Sequence, residues 1–425
     1  MKRRTTLITS MAATALLTLT ACSTKADNSG DSGGGGDSGG VKTDIGVTED
    51  EIVLGVQSDL SGVFKGIGLA LTHGNQIWAD KVNEDGGICE RKITLDVVDN
   101  GYSPDKAIPL YEQQKGNVLG YLQLIGSPVI AALKTKIEAD GMLAVPAAPA
   151  SVHLDNPHVL LLGITYDVEM INGLAYLLDQ GMIEKGDKIG YIYVDSEYGQ
   201  NGLLGAKYFA EENGITLVEA PISGADTDTT ATMTKFKDEG VTAIALTVTP
   251  AATASAATQN GAQGLNVPII GNNPAFTPNM MSDPSVAAAV AEHVLISQGY
   301  DVFDGDSELA KEIAKAYDAK TQDQPNYAVN AGYLQGMAWE ALLEEACDNG
   351  DLTREGIMSA RESAPNVDTK GLAGELTLKY DGAPSSRTSF IVQPDAALAN
   401  RGGVKVVQDN YISKDAESYK TPYQK

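Results

Sequence analysis

The sequence predicts an α/β protein built from two doubly wound lobes, each with a largely parallel sheet. Short runs rich in β-branched and other apolar residues alternate with helical segments along most of the 425 residues. Strands of nearly continuous apolar sequence are typical of parallel sheets that are covered on both faces. About fifteen elements are too many for one sheet of ordinary size, so two lobes are expected. Ligands of such folds bind beyond the carboxyl ends of the strands.

The predicted elements follow one another in a regular order along the chain. Strands are predicted at residues 51–58, 92–99, 119–125, 143–146, 188–194, 215–220, 241–248 and 267–271. Helices are predicted between them, at residues 72–83, 131–140, 169–180 and 202–213. The C-terminal part is less regular, with helices predicted at 307–320 and 330–346 and strands at 375–380 and 389–393.

The N-terminus has the pattern of an export signal. Lys2, Arg3 and Arg4 precede an apolar stretch at residues 7–19, which is shorter than the roughly 20 residues of a membrane-spanning helix. Residues 19–22 read Leu-Thr-Ala-Cys and resemble the bacterial lipobox. The resemblance implies that residues 1–21 are a signal peptide and that acylated Cys22 anchors the chain to the extracytoplasmic face of the cell membrane. A secreted protein with an unmodified Cys22 is the alternative.

Residues 22–48 are predicted to form a flexible tether between this anchor and the folded part. Residues 29–40 consist only of Gly, Ser and Asp, which cannot bury a core. A flexible chain of about 26 residues has a root-mean-square length of roughly 30 Å. The folded part is therefore expected to stay close to the membrane and to turn freely.

Composition and missing motifs exclude several classes of function. The chain has 31 Lys and Arg against 56 Asp and Glu, a net charge of −25, so nucleic acid is not an expected partner. Three Cys and four His, without a CxxC or HExxH motif, do not predict a metal site. No Walker loop is present, and no cofactor is expected. No set of nucleophile, base or paired acids indicates an enzyme.

Several segments carry a family resemblance through their order and spacing. They are residues 52–62 (IVLGVQSDLSG), 83–93 (NEDGGICERKI), 126–127 (GS), 145–148 (VPAA), 195–199 (DSEYG) and 264–273 (GLNVPIIGNN). Together they resemble the branched-chain amino acid and amide type of periplasmic solute-binding protein, which serves ABC importers. The resemblance extends from about residue 52 to residue 393. Glu90 departs from the pattern, since the family usually has Gly there.

The resemblance implies a type I periplasmic binding protein fold, in which three crossovers join two lobes that close around a ligand. It places lobe 1 at residues 49–163 plus 299–376 and lobe 2 at residues 164–298 plus 377–425. The implied partners are a small-molecule ligand and an ABC permease, and a monomer is expected. Closure around the ligand is then a hinge motion between the lobes.

The resemblance also places eight residues in the ligand cleft, namely Ser127, Ala147, Ala148, Tyr166, Tyr198, Thr249, Asn272 and Asn273. For several of them a structural role is the alternative. Ser127 either binds a ligand carboxylate or caps the following helix. Tyr198 either stacks on the ligand or packs its turn, and Tyr166 either contacts the ligand or packs the hinge.

Two departures from the family concern the amino-acid head group. Asn273 stands where family members have the acid that binds the ligand ammonium, and an amide cannot neutralise that charge. Pro149 stands where amino-acid binders often have Thr, and it offers neither an N–H nor a hydroxyl. A neutral amide, or a carboxylate with an apolar or aromatic body, therefore fits as well as an amino acid. Glu169 and Asp167 are the acids that would replace the missing one.

Cys89 and Cys347 remain once Cys22 is acylated. An oxidising compartment favours a disulfide between them, and the resemblance places both near neighbouring helix ends in lobe 1. The sequence therefore predicts one disulfide, with two unpaired cysteines as the alternative.

These expectations combine into one function. The chain is predicted to be an extracytoplasmic solute-binding lipoprotein of an ABC importer that captures a branched-chain or other amino acid, an amide or an apolar carboxylate. A ligand sensor for a membrane receptor is the alternative, because the same fold serves both roles.

Overall fold

The computed structural model describes residues 37–38 and 40–425. The predicted signal peptide, Cys22 and most of the predicted tether lie outside these residues. The strands are β1 (Asp37–Ser38), β2 (Val41–Thr43), β3 (Glu51–Ser58), β4 (Lys92–Asp99), β5 (Tyr121–Leu124), β6 (Ala144–Pro146), β7 (Lys188–Val194), β8 (Thr216–Ile222), β9 (Ala243–Thr247), β10 (Ile269–Asn272), β11 (Val294–Gln298), β12 (Asp351–Leu352), β13 (Ser389–Pro394) and β14 (Val404–Tyr411).

The α-helices are α1 (Lys65–Glu84), α2 (Pro104–Gln114), α3 (Ser127–Ala139), α4 (Tyr166–Asp179), α5 (Glu197–Asn213), α6 (Thr230–Glu239), α7 (Pro250–Ala262), α8 (Pro284–His293), α9 (Glu308–Lys320), α10 (Ala328–Asp348), α11 (Arg354–Ser363) and α12 (Lys414–Ser418). Short 3-10 helices cover Ser151–Asp155, Pro278–Ser282 and Ala396–Arg401.

Lobe 1 is built on a four-stranded parallel sheet of order β4-β3-β5-β6. Its central strand β3 buries Ile52, Leu54 and Val56 completely. Helices α1 and α10 contribute to the core on one face of the sheet, and α2 and α3 to the core on the other. Coverage of both faces explains why the strand sequences are apolar throughout.

Lobe 2 contains a seven-stranded sheet of order β14-β13-β11-β10-β9-β7-β8. The strands from β8 to β11 are parallel, whereas β13 and β14 run antiparallel to their neighbours. Helices α4 and α5 cover one face, and α6, α7 and α8 cover the other. The chain passes between the two sheets after β6, after β11 and before β13, so the predicted fold class is confirmed. The residue limits given above for the two lobes stay a prediction.

The structure corrects the predicted strand at residues 375–380. Leu376 and Leu378 are buried, which gives the segment the alternation of a strand, but only an isolated bridge joins Leu376 to Val367. The carbonyl oxygen of Leu378 instead accepts a hydrogen bond of 2.9 Å from Nε of Arg361. A side-chain donor thus satisfies the backbone where a neighbouring strand was expected.

The folded part begins earlier than the predicted end of the tether at residue 48. Strand β2 pairs with β1 and, in parallel, with β12, and the amide of Lys42 donates to the carbonyl oxygen of Gly350 at 2.9 Å. Val47 is buried in the core of lobe 1. Residues 41–48 therefore pack on the lobe, because the β-branched Val41 and Thr43 after the glycine run favour a short strand beside β12.

A disulfide joins Cys89 to Cys347, whose Cα atoms lie 6.2 Å apart. Cys89 lies in the turn between α1 and β4, and Cys347 lies in the last turn of α10. The bond therefore links the C-terminal ends of two helices that pack side by side in lobe 1.

Replacement of both cysteines, Cys89→Ser with Cys347→Ser, is expected to destabilise the protein. The bond closes a loop with a sequence separation of 258 residues, for which the chain-entropy model gives at most about 5 kcal/mol. Denaturant unfolding of the two proteins measures the difference. Equal unfolding midpoints would contradict this expectation, and ligand affinity serves as the control because neither cysteine lines the cavity described below.

Candidate ligand-binding site

A cavity lies between the two sheets, where the loops after their parallel strands meet; its empty space, including the part open to solvent, is about 620 Å³. Loops that follow β5, β6 and β10 contribute to its wall, as expected for ligand sites of doubly wound folds. Lobe 1 contributes Phe64, Ile67, Leu71, Tyr102, Ile125, Gly126, Ala147, Ala148, Pro149, Tyr300, Tyr327, Ala328, Ala331 and Gln335. Lobe 2 contributes Tyr166, Glu169, Tyr198, Asn273 and Pro274.

Helices α1 and α10 form much of the wall on the lobe 1 side. Ile67 and Leu71 from the first turns of α1 face Ala328 and Ala331 from the first turns of α10. All four side chains are apolar, so this wall excludes water from the body of a ligand.

Aromatic rings supply most of the remaining wall. The rings of Tyr166 and Tyr198 meet edge to face with centroids 4.8 Å apart, and those of Phe64 and Tyr102 do so at 4.7 Å. Tyr102 has a φ of 59°, a left-handed conformation that its amide supports by donating to Oδ1 of Asn100 at 2.9 Å. Such a conformation is rare for a tyrosine and typical of functional sites.

Some tyrosine hydroxyls are held by the protein and others are not. Tyr198 donates to the carbonyl oxygen of Val248 at 3.3 Å, and Tyr300 donates to that of Leu162 at 3.1 Å. The hydroxyls of Tyr102, Tyr166 and Tyr327 have no hydrogen-bond partner among the described residues. These three hydroxyls are therefore able to bind polar atoms of a ligand.

Glu169 is the one side chain in the cavity wall with an ordinarily ionised group. It is 1% exposed. Its carboxyl oxygens accept hydrogen bonds from the amide N–H of Asn273 at 3.2 Å and from Nδ2 of Asn273 at 3.4 Å. The backbone N–H of Gly299 is a third donor that favours the ionised form. Burial without a cationic partner raises the pKa of Glu169 well above its usual range, against the lowering effect of these three donors.

The structure places five of the eight predicted ligand residues in the cavity wall: Ala147, Ala148, Tyr166, Tyr198 and Asn273. Which of them touch a ligand stays a prediction. The other three predicted residues lie outside the cavity wall, each for a reason given next.

Ser127 is the first residue of α3, is buried, and leaves its Oγ without a partner; it neither lines the cavity nor caps the helix, whose N-cap is Gly126. Thr249 caps α7 by accepting from the amide of Ala252 at 3.4 Å. Asn272 lies behind the tyrosines, where its Oδ1 accepts from Tyr198 at 3.4 Å.

Sequence reasoning missed several wall residues that only the packing of distant segments brings together. Phe64, Tyr102, Tyr300, Tyr327 and Gln335 come from four separate segments of lobe 1. Tyr300 carried a usable signal, because it directly follows the second crossover. Nothing in the local sequence marks the others as ligand residues rather than core.

No group of three or more His, Cys, Asp or Glu among the described residues is arranged to hold a metal ion. Within the same residues, every helix is too short or too polar to cross a membrane.

Comparisons with known proteins agree with this geometry. The family model described as periplasmic binding protein matches residues 51–402. A comparison with curated proteins finds no match. The chain is 36% identical to a structure described as a fatty acid ABC transporter substrate-binding protein from Thermomonospora curvata, with a TM-score of 0.85 over 90% of this chain and 97% of that one.

More distant structures share the fold. One is a branched-chain amino acid ABC transporter protein from Thermus thermophilus with bound valine, at 16% identity and a TM-score of 0.74, covering 87% of this chain and 98% of that one. Another is a possible leucine/isoleucine/valine-binding protein from Rhodopirellula baltica SH 1, at 17% identity and a TM-score of 0.72, covering 86% and 98%.

Members of this family are solute-binding proteins of ABC transporters that act outside the cytoplasm, a role that a cavity between two lobes suits. The family model spans most of the chain, and the two sheets, the crossovers and the cavity agree with it. The chain therefore belongs to the periplasmic binding protein family, with the type I fold.

Proposed function

We propose that this protein is an extracytoplasmic lipoprotein that captures a small solute between its two lobes and delivers it to the permease of an ABC importer. The observation that carries the proposal is the cavity between the lobes, lined by side chains from both. A ligand in this position contacts both lobes at once, so its binding favours the closed form over the open one.

The wall chemistry favours a ligand with an apolar body and one polar head. Most of the wall is aliphatic or aromatic, and the polar groups are confined to Glu169, Asn273, Gln335 and the tyrosine hydroxyls. A relative at 36% identity is described as a protein of a fatty acid transporter. Of the ligand classes that the sequence leaves open, we therefore propose the apolar carboxylate ahead of the amide and the amino acid.

The proposed anchor rests on the lipobox-like Leu-Thr-Ala-Cys at residues 19–22. Cys22→Ala is expected to move the protein from the membrane fraction to the soluble fraction of the cells. The variant lacks the cysteine that would carry the acyl chains, and stable anchoring needs two or more such chains. Cell fractionation with detection of the folded part of the chain in each fraction measures the change. Ser23→Ala is the matched control, and a Cys22→Ala protein that stays in the membrane fraction would contradict the lipid anchor.

The proposed binding cavity is tested by filling it. Ala148→Phe places a ring in the cavity and is expected to abolish the ligand-induced rise in melting temperature. For the unmodified protein, a ligand at 100 times its Kd adds about 2.7 kcal/mol of stability, which corresponds to a rise of about 2–4 °C for a chain of this size.

Thermal unfolding is measured with a panel of apolar carboxylates, small amides and the amino acids leucine, isoleucine and valine. Ala319→Phe, on the exposed side of α9, is the matched control and is expected to keep the full shift. A shift that survives in Ala148→Phe would place the ligand elsewhere, and the absence of a shift with any solute would count against the receptor function.

A further inference from the structure

Glu169 is an unusual residue to find in the wall of a mostly apolar cavity. Buried ionised groups in proteins are ordinarily paired with an opposite charge, because the transfer of an unpaired charge out of water is very unfavourable. No lysine, arginine or histidine is present among the described residues that line this cavity. The carboxyl group therefore has no cationic partner among the described residues of the cavity wall.

The described side chains that share the cavity wall with Glu169 come from several elements, and none of them is positive. Tyr166 lies on the same helix, Tyr198 on α5, Tyr300 after β11 and Tyr327 just before α10. Burial, and in addition the charge of Glu169, raise the pKa of all four tyrosines.

Among the described acids, Asp167 acts directly on Glu169, whereas Asp59 and Glu197 act on Tyr102 in the same cavity wall. The negative charge of Asp167 also disfavours ionisation of Glu169, although its own carboxylate is engaged elsewhere. It accepts hydrogen bonds from Oγ of Ser151 at 2.6 Å and from the hydroxyl of Tyr419 at 2.9 Å.

We propose that Glu169 acts as a neutral carboxylic acid that donates a hydrogen bond to the carboxylate of a monocarboxylate ligand with an apolar body. This inference rests on the proposed function and adds the means by which the head group is recognised. The proton stays on Glu169, so no bond is formed or broken beyond the hydrogen bond itself. A protonated carboxyl donates through its O–H, whereas an ionised one only accepts.

The rest of the cavity is suited to the same head group. The unpartnered hydroxyls of Tyr102, Tyr166 and Tyr327 are free to turn their O–H groups toward an anion. The backbone N–H and Nδ2 of Asn273 each donate to one oxygen of Glu169 and so fix the orientation of its carboxyl group. Several neutral donors thereby take the place of the single cation that carboxylate sites often contain.

Ligand affinity should then depend on pH in a defined direction. Only the neutral form of Glu169 donates, and the ionised form repels a carboxylate. As the pH rises through the raised pKa of Glu169, the affinity for a carboxylate is expected to fall by up to tenfold per pH unit. The bound carboxylate is itself negative and raises the pKa of Glu169 further, which extends binding to higher pH.

The test uses hexanoate, hexanamide and hexylammonium, three probes of similar size that differ in head-group charge. Their dissociation constants are measured by titration calorimetry with the whole mature chain between about pH 6 and about pH 9. We expect hexanoate to bind most tightly and to weaken as the pH rises. Hexylammonium is expected not to bind, since it would require Glu169 to ionise.

Glu169→Gln distinguishes hydrogen-bond donation by this side chain from its titration. The glutamine amide keeps a donor of the same shape but does not titrate, so this variant is expected to bind hexanoate within a few-fold of the unmodified affinity and without the pH dependence. Asp301→Asn is the matched control. Asp301 is a buried acid outside the cavity wall, and burial raises its pKa to about 6, so its removal should leave the dependence above that pH unchanged.

A second measurement needs no ligand. An acid whose pKa is raised on folding binds its proton more tightly in the folded chain, so the stability of the unliganded protein falls as the pH rises from the ordinary glutamate pKa to the raised one. Glu169→Gln is therefore expected to melt at a higher temperature than the unmodified protein at about pH 8, with a gap that closes toward about pH 5.

Two results would overturn the inference while leaving the receptor function intact. The first is tight binding of hexylammonium that Glu169→Gln abolishes, because Glu169 would then be an ionised partner for a cation. The second is a melting temperature of Glu169→Gln equal to that of the unmodified protein at every pH. Failure of all solutes in the broader panel, by contrast, would overturn the proposed function itself.

Discussion

The close approach of α1 and α10 is the contact on which the lobe 1 side of the cavity depends. A Cβ atom at Gly74 would lie 2.1 Å from the carbonyl oxygen of Val329, and one at Gly332 would lie 2.1 Å from that of Leu71. Only glycine allows the two backbones to pack this tightly. The first turns of these two helices carry cavity side chains, and the disulfide joins them near their last turns. The glycine contacts between the two helices therefore set the position of the lobe 1 wall.

The opposite wall depends on how α4 is fixed to the lobe 2 sheet. Nδ2 of Asn172 donates to the carbonyl oxygen of Arg387 at 2.9 Å, and its Oδ1 accepts from the amide of Ser413 at 2.9 Å. Gly173 lies flat against Ile270, which leaves no room for a Cβ. The preceding turn of α4 then holds the carboxyl group of Glu169 in hydrogen-bond contact with Asn273. Because α4 begins immediately after the first crossover, this acid stays close to the hinge.

A buried acid in an apolar wall is a feature that folding alone does not favour. The hydrocarbon around Glu169 destabilises its ionised form, and the tyrosine hydroxyls without a protein partner gain no hydrogen bond from folding, which is a smaller cost. Sites that bind ligands commonly keep such groups at the expense of stability. The polar atoms of the wall are therefore best understood as complements to a ligand, whereas the aliphatic residues beside them serve both core and cavity.

The sequence by itself determined the fold class, because apolar strands and amphipathic helices alternate over most of the chain, and ordered motifs such as Asp195–Gly199 identify the family. The sequence also predicts that the loops directly after strands, at Ala147, Ala148 and Asn273, lie at the cleft, because the carboxyl ends of parallel strands meet at one edge of a sheet. Only the tertiary structure decided the rest. Tyr102 and Tyr327 reach the cavity through contacts between segments far apart in the chain. The segment around Leu376 has the alternation of a strand but makes only an isolated bridge, to Val367. The sequence names Glu169 and Asp167 as candidates for the acid that is absent at Asn273. Only the packing of α4 brings Glu169 against Asn273, because no local pattern predicts a contact between residues 104 positions apart.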